Sequence, residues 1–480
     1  MTAATKTISW NGLKRRALSL GAVKAFDHAM QFLLPVVLTR CLDAATFGEY
    51  RLLWLIVGTV MTIATLNMAG GLFYFVPRAD ARGKRLYIHQ TMLFLVASGL
   101  VFGALAGPWN PLLPAAVAPL AQYGWLVPAF VVLWLASILL DWLPTIDERI
   151  RWQAYATGTA TLLRVALVAG AAWFTGELRA ILWMLLAVVL AKAAMLLYYV
   201  HRHHGLGAPW LEREAFSGQF RHCAPFGVSN ALYALRAQSD QWVAASLFAL
   251  SSFAAFSVAA LVGHVVHILR HSVMEAFMPT MSRMHAAGDV RAMMTMNSRA
   301  NVMVGTLLYP LLALAFVYAE EIVTLVYTAA YLEAAAVMRV YIVGMLAMVV
   351  EVGSIVLLLR QGPFALRITA LALAVSVPLS WGAAHGVGLA GAAAGSVLAV
   401  YLDRTLLLRR ISRHTGIALR ELQDWRALVR TALIAVGCGL LAWLVTRQFL
   451  AEALPLVRLA VGAAVLGASY TVINLWRNRK

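Results

Sequence analysis

Ionisable side chains lie inside several long apolar segments of this sequence, where they must face protein, water or one another. In the first such segment, four polar residues fall within about 100° of one another on a helix, and these residues are Lys24, Asp27, His28 and Gln31. A charged residue at the centre of a bilayer costs roughly 2.5–3.5 kcal/mol if lipid surrounds it. The stripe therefore predicts a hydrated face that lines a cavity between helices.

Two later apolar segments carry further stripes, and other spans hold isolated charges. The stripes are Ser229, Tyr233, Arg236 and Asp240, and then His264, His267, His271 and Glu275. The isolated ionisable residues are Arg164, Lys192, Arg299, Arg339 and Glu351. An alternative interpretation is that Lys24–Asp27 and Arg236–Asp240 are simple ion pairs at helical spacing that hold helices together.

Basic residues outnumber acidic ones inside these segments, which indicates an anionic ligand. The basic set is Lys24, Arg164, Lys192, Arg236, Arg299 and Arg339, and the acidic set is Asp27, Asp240 and Glu351. Arginine forks and lysine point charges bind phosphate well. The histidines have an unperturbed pKa near neutrality, so they can add pH-dependent charge or a proton relay.

Motifs for other chemistries are absent from the sequence. It has no GxxxxGK[ST] phosphate loop, no HExxH and no GxSxG. Its three cysteines, Cys41, Cys223 and Cys438, lie far apart without a CxxC pair. We therefore predict no cofactor, no metal site and no catalytic residue, and we expect energy from an ion gradient, a substrate gradient or a partner.

Composition excludes an ordinary soluble domain. Of 480 residues, 62% are hydrophobic and 12% are charged, and the mean hydropathy is +0.77. Soluble domains are about half apolar and about a quarter charged. The net charge of +18 does not indicate nucleic-acid binding, because the basic residues lie in short clusters between apolar spans.

Apolar stretches long enough to cross a bilayer recur along the whole chain, which predicts an all-α polytopic membrane protein with about 14 transmembrane helices. The predicted spans are 18–39, 52–76, 88–107, 122–143, 154–174, 180–200, 222–248, 253–273, 295–318, 335–358, 366–384, 389–408, 430–446 and 457–475. Alternate loops are rich in Lys and Arg, so the positive-inside rule predicts that both termini are cytoplasmic.

An internal repeat is visible when residues 41–50 are aligned with residues 247–256. Phe47 then matches Phe253, and Tyr50 matches Phe256. The repeat unit would contain six spans, and an even number of spans returns the chain to the same side of the membrane. The halves would be parallel repeats, which suits an alternating-access transporter.

Several segments resemble the polysaccharide-transporter (Wzx-like) flippases. The segment from Lys24 to Asp27, followed by Leu38-Thr-Arg40-Cys-Leu42 and Phe47-Gly48-Glu-Tyr50, is similar to the opening of that family. Ser239-Asp240-Gln241 and the residues after Ala249 resemble its seventh-to-eighth span junction, although Gln241 stands where the family often has Arg. Met278-Pro279 with Ala287-Gly288-Asp289 resembles the cytoplasmic end of its eighth span.

This resemblance implies the multidrug/oligosaccharidyl-lipid/polysaccharide exporter fold, with two six-helix lobes in a V-shaped alternating-access arrangement and two C-terminal helices. The expected division is an N-terminal lobe, an inter-lobe loop, a C-terminal lobe, a basic linker and a final helix pair with a basic tail. The boundaries are 1–200, 201–221, 222–408, 409–429 and 430–480.

The function implied by the resemblance is transfer of an undecaprenyl-pyrophosphate-linked oligosaccharide across the bacterial cytoplasmic membrane for O-antigen, capsule or exopolysaccharide synthesis. The expected partners are this lipid-linked substrate, membrane lipids, and the polysaccharide polymerase and chain-length machinery. We expect substrate to contact Lys24, His28, Gln31, Tyr233, Arg236 and Arg299. We expect ion coupling at Asp27, Asp240, His264, His267, His271 and Glu351.

Three alternatives remain open at this stage. A peptidoglycan-precursor flippase would also have a basic cavity and fourteen spans. A cation-coupled drug exporter of the same superfamily would prefer an acidic cavity. A membrane polysaccharide polymerase or ligase would need a large extracytoplasmic loop, and the longest candidates are Gly107–Gln122 and Ala319–Ala335.

Overall fold

The computed structural model describes residues 10–111, 113–260 and 262–478, of which residues 10–20, 22, 24, 262, 264, 265, 477 and 478 are described by their backbone alone. These residues form nineteen α-helices and no β-strand. The helices are α1 Trp10–Cys41, α2 Ala44–Ala64, α3 Met68–Phe75, α4 Ala81–Leu105, α5 Leu126–Ser137, α6 Leu143–Ile146, α7 Ile150–Thr175, α8 Leu178–His203, α9 Arg213–Leu247, α10 Leu250–Ala259, α11 Val262–Ala286, α12 Val290–Val317, α13 Ala319–Val326, α14 Glu333–Met348, α15 Gly353–Leu358, α16 Gly362–Val387, α17 Leu389–Thr415, α18 Trp425–Phe449 and α19 Pro455–Asn478.

Ten segments in the described part of the chain are long and apolar enough to cross a membrane. They are α2, α4, the α5–α6 pair, α7, α8, α12, α16, α17, α18 and α19. The other four predicted spans coincide with α1, α9, the α10–α11 pair and the α14–α15 pair. Three of those four carry the polar stripes, and α14 has only 16 residues. The all-α polytopic fold class predicted from the sequence is confirmed.

Four of the spans are interrupted near their middles. The breaks lie between α2 and α3, between α5 and α6, between α10 and α11, and between α14 and α15. At the first break, Leu66 and Asn67 adopt positive φ angles of 41° and 59°, a conformation that ends a right-handed helix. A break frees backbone groups that a membrane protein must satisfy internally. Here the Ser98 hydroxyl donates to the Ala64 carbonyl at 2.8 Å.

The helices repeat along the chain at nearly constant spacing. Corresponding helices begin at Trp10 and Arg213, Ala44 and Leu250, Ala81 and Val290, Leu126 and Glu333, Ile150 and Gly362, and Leu178 and Leu389. The aligned aromatic residues Phe47 and Phe253 are each the fourth residue of their helix, and both are fully buried. The broken spans also fall in corresponding places. The structure therefore agrees with the predicted repeat of six spans.

The chain divides into two compact units, residues 1–234 and residues 235–480. Within the second unit, α16 and α17 form a tight hairpin joined by Gly388. A Cβ atom at Gly391 or Gly395 would overlap the backbone of α16, so these two glycines allow close backbone packing. Ser376 and Ser380 of α16 are fully buried beside this contact.

The loops are shorter than the sequence suggests, because helices continue beyond the apolar spans. The predicted loop at 201–221 reduces to residues 204–212, and the predicted linker at 409–429 reduces to residues 416–424. The segment 319–335, considered as a loop, contains α13 and a short 3₁₀ turn. In each case the backbone completes helical hydrogen bonds outside the apolar region.

Candidate functional site

In the first unit, the Asp27 carboxylate joins α1 to α7. It accepts hydrogen bonds from Gln31 Nε2 at 2.7 Å and from Thr161 Oγ1 at 2.5 Å. The Arg164 guanidinium lies 3.5 Å from Asp27 Oδ1, and the two side chains are only 14% and 24% exposed. The Asp27 carboxylate, which is expected to take part in ion coupling, therefore has Arg164 of α7 as a cationic partner.

Of the other three residues in the predicted α1 stripe, two have exposed side chains, and the side chain of the third is not described. His28 and Gln31 are exposed on α1. The backbone of Lys24 belongs to α1, but its side chain lies outside the described residues. Tyr233, near the end of the first unit, is 53% exposed on α9.

A second charged contact of the first unit lies beside the break between α5 and α6. Lys192 Nζ on α8 is 2.9 Å from Asp141 Oδ2, and the Lys192 ammonium also lies 5.2 Å from the centre of the Trp134 ring. The Lys192 side chain is 10% exposed and Asp141 is 44% exposed. Asp141 thus compensates a lysine that would otherwise be costly in the membrane interior.

In the second unit, Asp240 is buried among hydroxyl groups of neighbouring helices. The Ser396 hydroxyl of α17 donates to Asp240 Oδ2 at 2.5 Å, and the Tyr341 hydroxyl of α14 donates to the same atom at 2.9 Å. Asp240 Oδ1 accepts from the backbone amide of Gln241. A buried carboxylate ringed by hydroxyl oxygens offers hard oxygen ligands of the kind that small cations prefer.

Three arginines of the second unit form what we call the C-terminal arginine cluster: Arg236 on α9, Arg270 on α11 and Arg404 on α17. The Arg404 guanidinium lies close enough to Arg236 and Arg270 to be repelled by both positive charges. Its Nε atom is buried, with no hydrogen-bond partner among the described residues. Arg270 Nη1 donates to the Met348 carbonyl at the end of α14, at 3.3 Å.

Two acidic residues, Asp403 and Glu351, attract the positive charge of Arg404. The Glu351 carboxylate, however, is engaged with the backbone at the break between α14 and α15. Its Oε1 atom accepts from the amides of Gly353 and Ser354 at 2.6 Å and 3.2 Å. The Asn301 side chain bonds both the amide and the carbonyl of Glu351. Glu351, predicted as an ion-coupling residue, thus bonds the first two backbone amides of the short helix α15.

The histidine stripe of α11 lies on an exposed face. The rings of His267 and His271 stack with centres 5.6 Å apart, and His271 Nε2 lies 3.1 Å from Glu275 Oε1. The side chain of His264 lies outside the described residues. No group of three or more metal-ligating side chains is found in the described part of the chain. Arg299 is exposed on α12.

Both units carry charged side chains in similar parts of the repeat. Asp141 lies at the break of α5–α6 and Lys192 midway along α8, while Glu351 lies at the break of α14–α15 and Arg404 midway along α17. In the first unit the acid and base form a direct ion pair. In the second, Glu351 bonds backbone amides, and Arg404 has two further arginines nearby.

Sequence patterns did not single out Asp141, Arg270, Arg404, Tyr341 or Ser396. A stripe on one helix is visible as periodicity, whereas these residues become a site only through contacts between helices. The repeat is the signal that could have drawn attention to this part of α17, because alignment of the two halves by their helix starts places Lys192 opposite Asp403, the residue next to Arg404.

Comparisons with known proteins agree with this architecture. A family model described as "Polysaccharide biosynthesis protein" matches residues 13–285. No curated protein sequence matches the chain.

Several solved structures share the fold of this chain. A lipid II flippase, MurJ, in an inward closed conformation matches with a TM-score of 0.64 and 11% identity, covering 95% of this chain and 98% of that one. An inward-facing multidrug resistance MATE transporter of the MOP superfamily matches with a TM-score of 0.58 and 12% identity, covering 82% and 96%. A MATE multidrug transporter, DinF-BH, matches with a TM-score of 0.57 and 14% identity, covering 88% and 99%.

Proposed function

Because this chain belongs to the polysaccharide biosynthesis protein family, we propose that it is a flippase for an undecaprenyl-pyrophosphate-linked oligosaccharide. The cargo would cross the bacterial cytoplasmic membrane for synthesis of a surface polysaccharide such as O-antigen, capsule or exopolysaccharide. The fold shared with a lipid II flippase and with MATE transporters supports alternating access as the mechanism.

The observation that carries this proposal is the C-terminal arginine cluster. Arg404 is repelled by Arg236 and Arg270 and attracted by Asp403 and Glu351, so positive charge is in excess at this place, and its desolvation inside a membrane protein is expensive. A phosphate-bearing ligand would offset both costs, because guanidinium groups form paired, charge-assisted hydrogen bonds with phosphate oxygens. We assign Arg236, Arg270 and Arg404 to the pyrophosphate, and we expect Lys24, His28, Gln31, Tyr233 and Arg299 to contribute to the rest of the cargo path.

For energy coupling we propose Asp240 as the principal site. Its carboxylate faces the Ser396 and Tyr341 hydroxyl groups, so binding of a proton or a small cation would change the charge at the junction of three helices. Asp27, Glu351 and the histidines at 264, 267 and 271 are secondary candidates. Of these, Asp27 already has an Arg164 partner.

The direction of transport follows from the predicted orientation. With both termini cytoplasmic, the basic loops face the cytoplasm, where the lipid-linked substrate is made. The flippase would release the substrate to the opposite leaflet, where the polymerase and chain-length machinery act. A peptidoglycan-precursor flippase is the second candidate, favoured by the fold shared with a lipid II flippase over 95% of this chain.

A transport assay tests the proposal directly. The purified chain is reconstituted in proteoliposomes that contain a fluorescent undecaprenyl-pyrophosphate oligosaccharide, and movement between leaflets is measured by loss of access to an impermeant reagent. Lipid II is assayed in parallel. Faster movement of the oligosaccharide than of lipid II supports the polysaccharide function. Transport of lipid II alone supports the second candidate, and movement of neither contradicts both.

Variants then test the assigned site. We expect Arg404→Gln and Arg270→Gln each to lower the transport rate about tenfold or more, since each removes a charge-assisted hydrogen bond worth about 1.5–3 kcal/mol. The matched control is Arg367→Gln, which removes an exposed arginine of the same unit. Equal rates for Arg404→Gln and Arg367→Gln would contradict the assignment.

A further inference from the structure

A shallow, open groove of about 650 Å³ lies along α18, at the end where this helix begins. The described residues that line it are Trp425, Arg426, Val429, Arg430, Leu433 and Ile434. They occupy one half of the helix surface. The opposite half, which includes Leu428, Thr431, Ala435 and Cys438, is buried. The groove is therefore open to the surroundings of the second unit.

Two features of the groove point to an anionic headgroup. Arg426 and Arg430 lie one turn apart, and both are exposed. In the described part of the chain, neither has a hydrogen-bond or ion-pair partner. The adjacent acid, Asp424, does not neutralise them, because its carboxylate accepts the Ala427 amide at 2.9 Å and caps the helix. Two free guanidinium groups at this spacing match a phosphate group.

The rest of the groove has the chemistry of an acyl-chain contact. Val429 lies between the two arginines in sequence, and Leu433 and Ile434 continue from them toward the middle of the span, about one turn deeper. Trp425 stands at the outer end, with its indole Nε1 donating to the Leu419 carbonyl at 3.0 Å. Tryptophan is enriched where a membrane meets water. Charge at the rim and apolar side chains below match a phospholipid rather than a soluble anion.

We propose that this groove binds an anionic phospholipid of the membrane leaflet, with its phosphate held by Arg426 and Arg430 and an acyl chain along Val429 and Leu433. This site is separate from the C-terminal arginine cluster and does not depend on the proposed cargo.

Native mass spectrometry of the full-length chain in detergent tests the site, with phosphatidylglycerol, phosphatidylcholine or inorganic phosphate added in turn. We expect the chain to prefer phosphatidylglycerol to phosphatidylcholine. The double variant Arg426→Gln/Arg430→Gln should bind phosphatidylglycerol about tenfold more weakly. Arg426→Lys/Arg430→Lys should retain most of the binding.

The matched control is Arg409→Gln/Arg413→Gln, which removes two exposed arginines at the same spacing on α17 and should leave binding unchanged. Equal loss in both double variants would overturn the proposal in favour of general charge attraction. Displacement of the lipid by inorganic phosphate would show a free-anion site instead. Leu433→Trp keeps both arginines and fills the groove, so unchanged lipid binding in that variant also contradicts the proposal.

Discussion

Asp240 shows how hydroxyl groups can hold an acidic residue inside a membrane protein, since among the described residues its side chain is bonded by Ser396 and Tyr341 and by no basic side chain. It is 3% exposed, and its Oδ2 atom receives two hydroxyl hydrogen bonds from different helices. Hydrogen bonds of this kind stabilise a buried carboxylate, and they also make it sensitive to the arrival of a cation. The residue therefore connects local charge to the packing of α9, α14 and α17.

We expect Asp240→Asn to abolish the acceleration of transport by an imposed proton or sodium gradient, while transport down a substrate gradient continues. The amide retains an acceptor oxygen but cannot change its charge. Proteoliposome assays with and without each gradient measure this difference. Glu452→Gln, which removes an exposed acidic group between α18 and α19, is the control and should keep the response to the gradient. A normal gradient response in Asp240→Asn would exclude this residue from coupling.

The ion pair of Lys192 and Asp141 allows a second test at the residue scale. We expect Lys192→Met to lower the free energy of unfolding by roughly 2 kcal/mol, because it leaves the Asp141 carboxylate uncompensated. The double variant Lys192→Met/Asp141→Asn should recover most of that loss. Thermal unfolding in detergent measures both variants, and Lys192→Arg serves as the control that retains the charge. Additive losses in the double variant would show that the pair contributes little.

At the scale of elements, the hairpin of α16 and α17 depends on glycine. The Cβ of Gly395→Ala would overlap the Ser380 amide of α16, so we expect destabilisation of about 1–3 kcal/mol. Gly382→Ala is the matched control, because open space surrounds a Cβ atom at that position of α16. Unfolding midpoints in detergent compare the two variants. Similar unfolding midpoints for the two variants would show that close packing at Gly395 contributes little to stability.

The start of α2 depends on its capping residue, Asp43. The Asp43 carboxylate accepts the amides of Thr46 and Ala45 at 3.0 Å and 2.9 Å. These hydrogen bonds, that of Thr46 above all, hold the pKa of the Asp43 carboxyl below its usual value. The cap therefore contributes fully above the pKa of an unfolded aspartate, about 3.9, and is lost as the pH falls through the lower pKa of the folded state.

We expect Asp43→Ala to cost about 1 kcal/mol at neutral pH and to remove this acid dependence. Asp43→Asn should keep most of the stability at neutral pH, since asparagine also caps helices, but it should lose the acid dependence because it does not titrate. Unfolding in detergent between pH 3 and pH 7 tests both variants. An unchanged acid profile in Asp43→Asn would assign the dependence to another carboxyl group.

Helical periodicity made the stripes predictable, because it is a property of one element. Asp27 and Asp240 were found in this way, and the four predicted spans outside the ten long apolar segments are those that carry the stripes or the isolated Glu351. Their partners were not predictable, since Arg164 and Ser396 lie on helices distant in sequence. The role of Glu351 at a helix break was missed for the same reason, because the break itself arises from packing.

At the scale of the whole molecule, the distribution of basic loops predicts which segments face the cytoplasm. We expect Ala115→Cys to react with an impermeant maleimide in intact cells, and Gly207→Cys to react only after permeabilisation, because the two loops lie on opposite sides. Both positions are exposed, and a background without the three native cysteines gives a clean readout. Labelling of Gly207→Cys in intact cells would reverse the proposed orientation.

The six-span repeat has a consequence for how such a chain could arise. Because six crossings end on the side where they began, a tandem gene duplication yields a second half that inserts without any change in its loop charges. The two copies can then diverge separately. In the first unit Lys192 pairs with Asp141, whereas in the second Glu351 bonds backbone amides and Arg404 has two further arginines nearby.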